Sequence, residues 1–345
     1  MLRRLCLFLA LCLCLPLVAC APKEEGYIPY NYDLSEYIRL GDYRTLSVKK
    51  SDVTPTEKEL EEQTEADFVL LTRLTDRAVK LGDKVNLNYL ASFEGTQYDD
   101  DTEAGFFLTL GENALGIPGF DEGLVGATPG DSIALDLAFP SDYEKNPDYA
   151  GKDVSFVVTV NYIYSPLPAL NDEMVKTFTT YKTVAEYEEG IFKTLTEVKT
   201  IEAVWNQLLD ATTVLQYPEK EYENYYTEYL DGYTSLAQNY GMTLSELIKE
   251  SGSTMDEFYR EADETTKSYI KEDLVVYAIA RQENLTLSEE EYKQAVQDYF
   301  LSSAYDYYVS AELMEQTLGK EILSQQFLSN KVLDFILEHA TVTEN

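Results

Sequence analysis

Residues 106–124, which read FFLTLGENALGIPGFDEGL, decide the fold of the first half of this chain. Phe106, Leu108 and Leu110 occupy alternate positions, which predicts a short strand with one apolar face that ends at Gly111. Residues 119–124 then predict a single short helix.

The same alternation continues on both sides of this stretch and predicts three further half-buried strands. Their apolar positions are Val85, Leu87, Tyr89, Ala91 and Phe93; Ile133, Leu135, Leu137 and Phe139; and Val154, Phe156, Val158, Val160 and Tyr162. Residues 80–164 therefore predict a small antiparallel β domain with one short helix.

The rest of the chain carries helical signals. Ser165-Pro166-Leu167-Pro168 breaks the strand pattern, and residues 165–345 predict an all-helical domain. Pro218 is expected at a helix start, and Ser288-Glu289-Glu290-Glu291 predicts a capping box. A shorter helix is expected to open at Thr54-Pro55-Thr56-Glu57, with Thr54 or Thr56 as its cap, and to run to about Asp67. It lies within a mixed region of 33–79 that links to the helical domain. Two apolar stripes are expected to be buried: Leu274, Val275, Ala278 and Ile279; and Ile322, Phe327, Val332, Phe335 and Ile336. The predicted fold class is α+β.

The first twenty residues are typical of an exported lipoprotein. Arg3 and Arg4 precede an apolar run that is shorter than the roughly 20 residues of a spanning helix. Leu17-Val18-Ala19-Cys20 resembles a bacterial lipobox, which implies cleavage after residue 19, acylation of Cys20 and a tether over 20–32. The alternative is an ordinary secreted protein in which Cys20 is incidental. The lipoprotein hypothesis implies an extracytoplasmic location on the bacterial cell membrane.

Composition excludes several classes of site. The chain has 27 basic and 62 acidic residues and a net charge of −35, which disfavours nucleic acid as a partner. All cysteines other than Cys20 lie within 1–19, so we expect neither a disulfide framework nor a cysteine metal site. With His339 as the single histidine, we expect no metal, no cofactor and no histidine-dependent nucleophile.

The β domain resembles FKBP-type peptidyl-prolyl isomerases. The resemblance rests on short stretches in a matching order, among them Tyr98-Asp99, Ile117-Pro118-Gly119-Phe120 and Phe139-Pro140-Ser141-Asp142-Tyr143. It implies a proline pocket made by Tyr89, Tyr98, Asp99, Phe106, Ile117, Phe120, Tyr143 and Phe156. In the family the aspartate lies near the substrate carbonyl and the isoleucine N–H binds a carbonyl. The same aromatic residues could instead serve only as core packing.

The helical half resembles the trigger factor family of chaperones. Leu167-Pro168-Ala169-Leu170-Asn171-Asp172-Glu173 and Tyr217-Pro218 carry this resemblance. Nothing between Cys20 and Val79 matches the family's basic ribosome-docking loop, so we expect no ribosome binding.

Two groups of aromatic residues in the helical half are candidate client-binding surfaces, because tyrosine combines apolar area with a polar tip. The first contains Tyr222, Tyr225, Tyr226, Tyr229 and Tyr233, and the second contains Tyr299, Phe300, Tyr305, Tyr307 and Tyr308. Packing between helices is the alternative for both.

Two functions remain open at this level. The first is a membrane-anchored isomerase and chaperone for unfolded or proline-containing exported polypeptides. The second is a holdase or assembly scaffold of the same fold with an inactive pocket. A transporter's substrate-binding lipoprotein is disfavoured, because such proteins alternate strands and helices.

Overall fold

The computed structural model describes residues 30–93, 96–304 and 307–344, and gives only the backbone of 93, 96–104, 303 and 304. These residues form two compact units. The β unit spans Thr56–Ile191, and the helical unit combines the chain up to Pro55 with the chain from Phe192 onward.

The predicted helices and strands occur in the expected order, and the chain also forms short strands that the sequence does not predict, two of them within the region expected to be all-helical. The helices are α1 (Lys50–Val53), α2 (Glu57–Asp67), α3 (Phe120–Leu124), α4 (Asp172–Phe178), α5 (Val184–Ala211), α6 (Glu219–Asn239), α7 (Leu244–Glu250), α8 (Met255–Gln282), α9 (Glu289–Tyr299), α10 (Ala311–Leu318) and α11 (Lys320–His339). The strands are β1 (Ile38–Arg39), β2 (Ser47–Lys49), β3 (Arg73–Leu74), β4 (Lys84–Phe93), β5 (Thr96–Thr109), β6 (Ser132–Ala138), β7 (Asp153–Tyr164), β8 (Thr213–Val214) and β9 (Thr341–Thr343). The α+β expectation is confirmed.

The β unit is built on one antiparallel sheet of order β3-β7-β4-β5, with β6 also paired to β7. The predicted alternation is confirmed, because Val85, Leu87, Val158 and Val160 are fully buried on one face of the sheet. The expected strand at 106–110 is part of the longer β5, which starts at Thr96.

The inward position of Tyr162 was predicted wrongly. A register shift between Asn86 and Leu87 lets Val160 pair with Leu87 while Tyr162 pairs with Asn86. Beyond this bulge the next residue, Ile163, is 1% exposed, and Tyr162 lies on the opposite face with its ring beside Phe107. A bulge changes which face an alternating series occupies.

A small second core completes the β unit. It consists of Phe68, Val175, Tyr187 and Ile191. Helix α2 leads into it and has the expected boundary, since Thr56 accepts a hydrogen bond from Glu59 N and the Glu59 carboxylate accepts one from Thr56 N. This reciprocal pairing satisfies two backbone donors that a helix start leaves open.

The helical unit is closed by short strand pairs that involve the N-terminal segment. Strand β1 pairs antiparallel with β8, and β2 pairs parallel with β9. The segment contributes Tyr30, Leu34 and Ile38 to the core of this unit, so Tyr30, within the expected tether, is buried.

The helix boundaries in the second half agree with the sequence analysis. Pro218 caps α6, and Ser288 with Glu291 forms the predicted capping box of α9. The stripe that contains Leu274 and Ile279 is buried as expected. In the other stripe Ile322 is 53% exposed, because the apolar face of α11 begins at Leu323 instead. Among the described residues, no helix has the length and apolar character needed to span a bilayer.

Candidate functional site

Four aromatic side chains meet on the inner face of the β-unit sheet. The ring of Tyr89 lies 5.8 Å from Phe106, 6.4 Å from Phe120 and 5.9 Å from Phe156, each edge to face. Phe120 and Phe156 are 5.1 Å apart. Tyr89 and Phe106 are half-buried, whereas Phe120 and Phe156 are buried, so the cluster has an open side and an apolar floor. The structure thus brings these four predicted site residues together, and their catalytic role remains a prediction.

The loop between β5 and α3 borders this cluster and is sharply bent. Gly111, Gly116 and Gly119 all have positive φ, and a Cβ at Gly119 would lie 3.1 Å from Leu137 Cδ2. Glycine is therefore required at Gly119 for both conformation and space. Ile117 is 3% exposed, and its N–H has no hydrogen-bond acceptor in the part of the chain that the structure describes. That free donor matches the role that the family resemblance implies for Ile117.

A buried carboxylate that the sequence analysis missed holds this loop. Asp121 is 3% exposed, and its Oδ2 accepts hydrogen bonds from Gly111 N at 2.8 Å and Asn113 N at 2.9 Å. An acidic residue directly after Phe120 on a helix of one turn was the available signal. Burying a carboxylate costs free energy unless hydrogen-bond donors replace the lost water. Here the N–H groups of Gly111 and Asn113 donate to Asp121 Oδ2.

Tyr143 also contacts the loop between β5 and α3. Its hydroxyl donates to Leu115 O at 3.1 Å, and its ring packs 4.7 Å from Phe139. Burial raises the pKa of Tyr143. The hydroxyl is thus engaged with the loop backbone in this structure.

Three predicted site residues lie outside what the structure describes. The side chains of Tyr98 and Asp99 fall within the stretch of β5 for which only the backbone is described, and Cys20 precedes residue 30. Their predicted roles remain predictions.

The described site offers apolar ring faces and a backbone donor rather than a reactive group. Phe106, Phe120 and Phe156 carry no ionisable atom. In the described residues, no group of three or more His, Cys, Asp and Glu side chains could hold a metal ion. Such a site can bind a ring and a carbonyl.

Comparison with known sequences identifies both units. Residues 75–161 match the profile of FKBP-type peptidyl-prolyl cis-trans isomerases, and residues 181–338 match that of the bacterial trigger factor C-terminus. The chain is similar to the trigger factor family in both parts. It carries an FKBP-type domain followed by a trigger factor C-terminal domain.

Several trigger factors align with nearly the whole chain. That of Staphylococcus saprophyticus is 28% identical over 333 residues, which cover 93% of this chain and 75% of the relative. That of Clostridioides difficile is 27% identical over 336 residues, which cover 93% of this chain and 77% of the relative. A solved structure of the trigger factor chaperone, described for promiscuous substrate recognition in folding and assembly, is 22% identical, covers 88% of this chain and 73% of that one, and has a TM-score of 0.39.

The first predicted tyrosine group of the trigger factor C-terminal domain packs between α6 and α8. Tyr222 donates to Asp263 Oδ1 at 2.7 Å, stacks 5.7 Å from Tyr226, and has its pKa raised by burial to about 12. Tyr229 is 7% exposed, and both Tyr229 and Tyr233 pack against Phe258. These contacts are those expected if the tyrosines pack between helices, which is the alternative to a client-binding surface.

The second group divides into buried and exposed members. Tyr299, Phe300 and Tyr308 pack in a core with α9, α10 and α11, and Tyr305 lies outside the described residues. Tyr307 is 84% exposed, and Leu301, Val309 and Leu313 are 62%, 89% and 42% exposed. We name these four residues the exposed apolar segment. Sequence analysis found only Tyr307 among them, because these four residues follow no helical or strand period that would mark them as one surface.

Proposed function

We propose that this protein is a membrane-anchored, extracytoplasmic peptidyl-prolyl cis-trans isomerase and folding chaperone for exported polypeptides. The observation that carries the proposal is the aromatic cluster of Tyr89, Phe106, Phe120 and Phe156, beside the free Ile117 N–H. The named trigger factor relatives support the chaperone part.

The cluster suits rotation about an X–Pro bond. That rotation has a barrier of ~18–20 kcal/mol, because the planar amide is stabilised by charge-separated resonance. The twisted amide has lost part of that resonance and is less polar, so an apolar, water-poor site stabilises it relative to the planar form. Each ~1.4 kcal/mol of differential stabilisation gives a tenfold rate increase without a nucleophile, metal or cofactor.

In this mechanism the four rings bind the proline ring, and Ile117 N–H donates to a carbonyl of the bound chain. Asp121 keeps the loop in place by binding Gly111 N and Asn113 N. The family resemblance assigns Asp99 to the polar wall near the substrate carbonyl.

The location rests on the N-terminal sequence. Arg3, Arg4, the apolar run and Ala19-Cys20 support export and acylation of Cys20. Acyl chains contribute ~0.8 kcal/mol per buried methylene, and stable attachment takes more than one chain. Labelled palmitate should be incorporated into the wild-type protein and not into Cys20→Ala; labelling of both, or of neither, would contradict the anchor.

A proline-limited refolding assay tests the isomerase activity. The soluble chain from Ala21 onward should accelerate the slow phase, and Phe106→Leu and Asp99→Asn should reduce kcat/KM. Val157→Ala is the matched control, because Val157 is 48% exposed on the outer face of the same sheet. Equal rates in all four proteins, or no acceleration by wild type, would contradict an active pocket.

The inactive holdase is the second candidate, and the exposed apolar segment favours it. Tyr307 and Val309 offer apolar area that does not depend on the isomerase site. If wild type suppresses aggregation of an unfolded client without accelerating proline-limited refolding, and Tyr307→Ser with Val309→Ser weakens that suppression, the scaffold function stands and the isomerase function does not.

A further inference from the structure

Five side chains form a continuous row on the outer face of the β-unit sheet. Arg73 lies 4.9 Å over the ring of Tyr162, which is 6.0 Å from the ring of Phe107. Lys84 lies 5.3 Å over Phe107 and 5.0 Å over the ring of Tyr164. We name these residues the cation–aromatic row. None of them belongs to the aromatic cluster on the inner face.

The strand register explains why the row forms. Asn86 of β4 pairs with Phe107 of β5 on one side and with Tyr162 of β7 on the other. The two rings meet above Asn86, which is only 5% exposed although it faces outward. The Asn86 amide is satisfied within the sheet, since Nδ2 donates to Gly105 O and Oδ1 accepts from Asn161 Nδ2, both at 2.8 Å.

The charge of this region is opposite to that of the chain. Residues 73–84 contain four basic and two acidic residues, whereas the whole chain has 27 and 62. Asp83 is paired with Arg77 at 2.6 Å. Among the described side chains, Arg73 and Lys84 form no ion pair; their contacts are with ring faces. Two cations therefore remain available to an external carboxylate.

The row is also accessible. Arg73 and Lys84 are exposed, Tyr162 and Tyr164 are half-buried, and Phe107 is 44% exposed. Aromatic residues and arginine are the residue types enriched where proteins bind other polypeptides. An exposed phenylalanine between two cations offers an apolar contact flanked by positive charge.

We propose that the cation–aromatic row binds acidic, extended segments of client polypeptides that carry an apolar side chain among their carboxylates. This proposal rests on the proposed chaperone function and names a class of client for it. A net charge of −35 disfavours binding of acidic segments to the surface as a whole, and the row offers such segments two exposed cations that form no ion pair with a described side chain. The low number of cations and the large ring area favour a polypeptide over a polyphosphate, whose closely spaced charges need several cations.

The test uses a fluorescein-labelled peptide with alternating glutamate and phenylalanine, and measures its binding to the full soluble chain by anisotropy. Arg73→Gln with Lys84→Gln should weaken binding about fivefold or more, and Phe107→Ser should weaken it as well. Lys176→Gln with Lys182→Gln is the charge-matched control, because both lysines are exposed in the same unit and neither belongs to the row. The control should bind as wild type does.

Three outcomes would overturn the proposal. The first is that the row variant and the lysine control weaken peptide binding equally, because the effect would then reflect net charge alone. The second is equal binding of a peptide with glutamine in place of glutamate. The third is tighter binding of polyphosphate than of the peptide at the row, which would make the row an anion site of another class. Proline-limited refolding of an uncharged substrate by the row variant stays at the wild-type rate, so a failure here is distinguishable from a failure of the proposed isomerase function.

Discussion

Asp273→Asn should change how the stability of the helical unit depends on pH. Asp273 of α8 is 8% exposed and joins three other segments of that unit. It accepts hydrogen bonds from Tyr30 Oη at 2.9 Å, Tyr225 Oη at 2.6 Å and Gln325 Nε2 at 2.6 Å. Burial raises the pKa of this carboxyl from 3.8 to about 6; the three donors lower it, and nearby Glu221 raises it.

The sign and size of the effect follow from the pKa difference. A carboxyl whose pKa is higher in the folded state contributes stability that is complete below pH 3.8 and is lost as pH rises through about 6. The full difference corresponds to about 3 kcal/mol, of which about 1 kcal/mol falls between pH 5 and pH 7.5. Asparagine cannot ionise, and its oxygen can still accept from both tyrosines while the Gln325 amide turns around.

The single tryptophan makes the measurement specific. Trp205 is 7% exposed in the core that also contains Tyr30 and Leu274, so its fluorescence reports unfolding of the helical unit. In urea titrations between pH 5 and 7.5, the stability of wild type relative to Asp273→Asn should fall by about 1 kcal/mol as pH rises. Tyr30→Phe removes a donor that lowers the pKa and should steepen the dependence. A difference between wild type and Asp273→Asn that stays constant with pH would refute the reasoning.

Three further substitutions test the β unit by urea unfolding followed by circular dichroism. Phe156→Ala, at a side chain 3% exposed, should destabilise the unit by about 3–5 kcal/mol, and a loss below 1 kcal/mol would mean that the cluster is loosely packed. Thr56→Ala should cost about 1 kcal/mol through loss of the α2 cap, whereas an unchanged midpoint would show that the cap is replaced by water. Gly123→Ala should cost about 1–3 kcal/mol, because the new Cβ would lie 2.5 Å from Leu135 Cδ2; a stabilised variant would show that Leu135 moves aside freely.

The strands of the β unit were predictable because each has one buried face. The buried positions alternate along each strand with residues on the other face, as at Val85, Leu87, Val158 and Val160. A shift of the strand pairing by one residue would expose these side chains, so their burial fixes the register. The failure at Tyr162 has a physical cause. A bulge inserts one residue and reverses the faces beyond it, and an alternating pattern alone cannot locate it.

The polar centre of the helical unit could not be predicted from the sequence. Asp273 and Tyr30 are separated by 243 residues in the sequence. Helix α8, which contains Asp273, also carries several acidic residues that are exposed. Nothing local distinguishes a buried carboxylate from a solvated one. Likewise, the tyrosines of α6 fit both client binding and helix packing, and only their contacts with Phe258 and Asp263 favour packing.

The two units should therefore respond differently to acid. The floor of the aromatic cluster consists of Phe120 and Phe156, which do not titrate, and the proposed lowering of the X–Pro barrier depends on apolar contact with them. The helical unit instead contains Asp273, a carboxyl whose pKa is raised by burial to about 6, so its protonation in mild acid removes the cost of burying a charge beside Tyr30. At the proposed extracytoplasmic location, where pH is not buffered by the cell, mild acid would stabilise the helical unit and leave the rings of the aromatic cluster unchanged. Proline-limited refolding and Trp205 unfolding, measured on the same samples from pH 5 to 7.5, would separate these two responses directly.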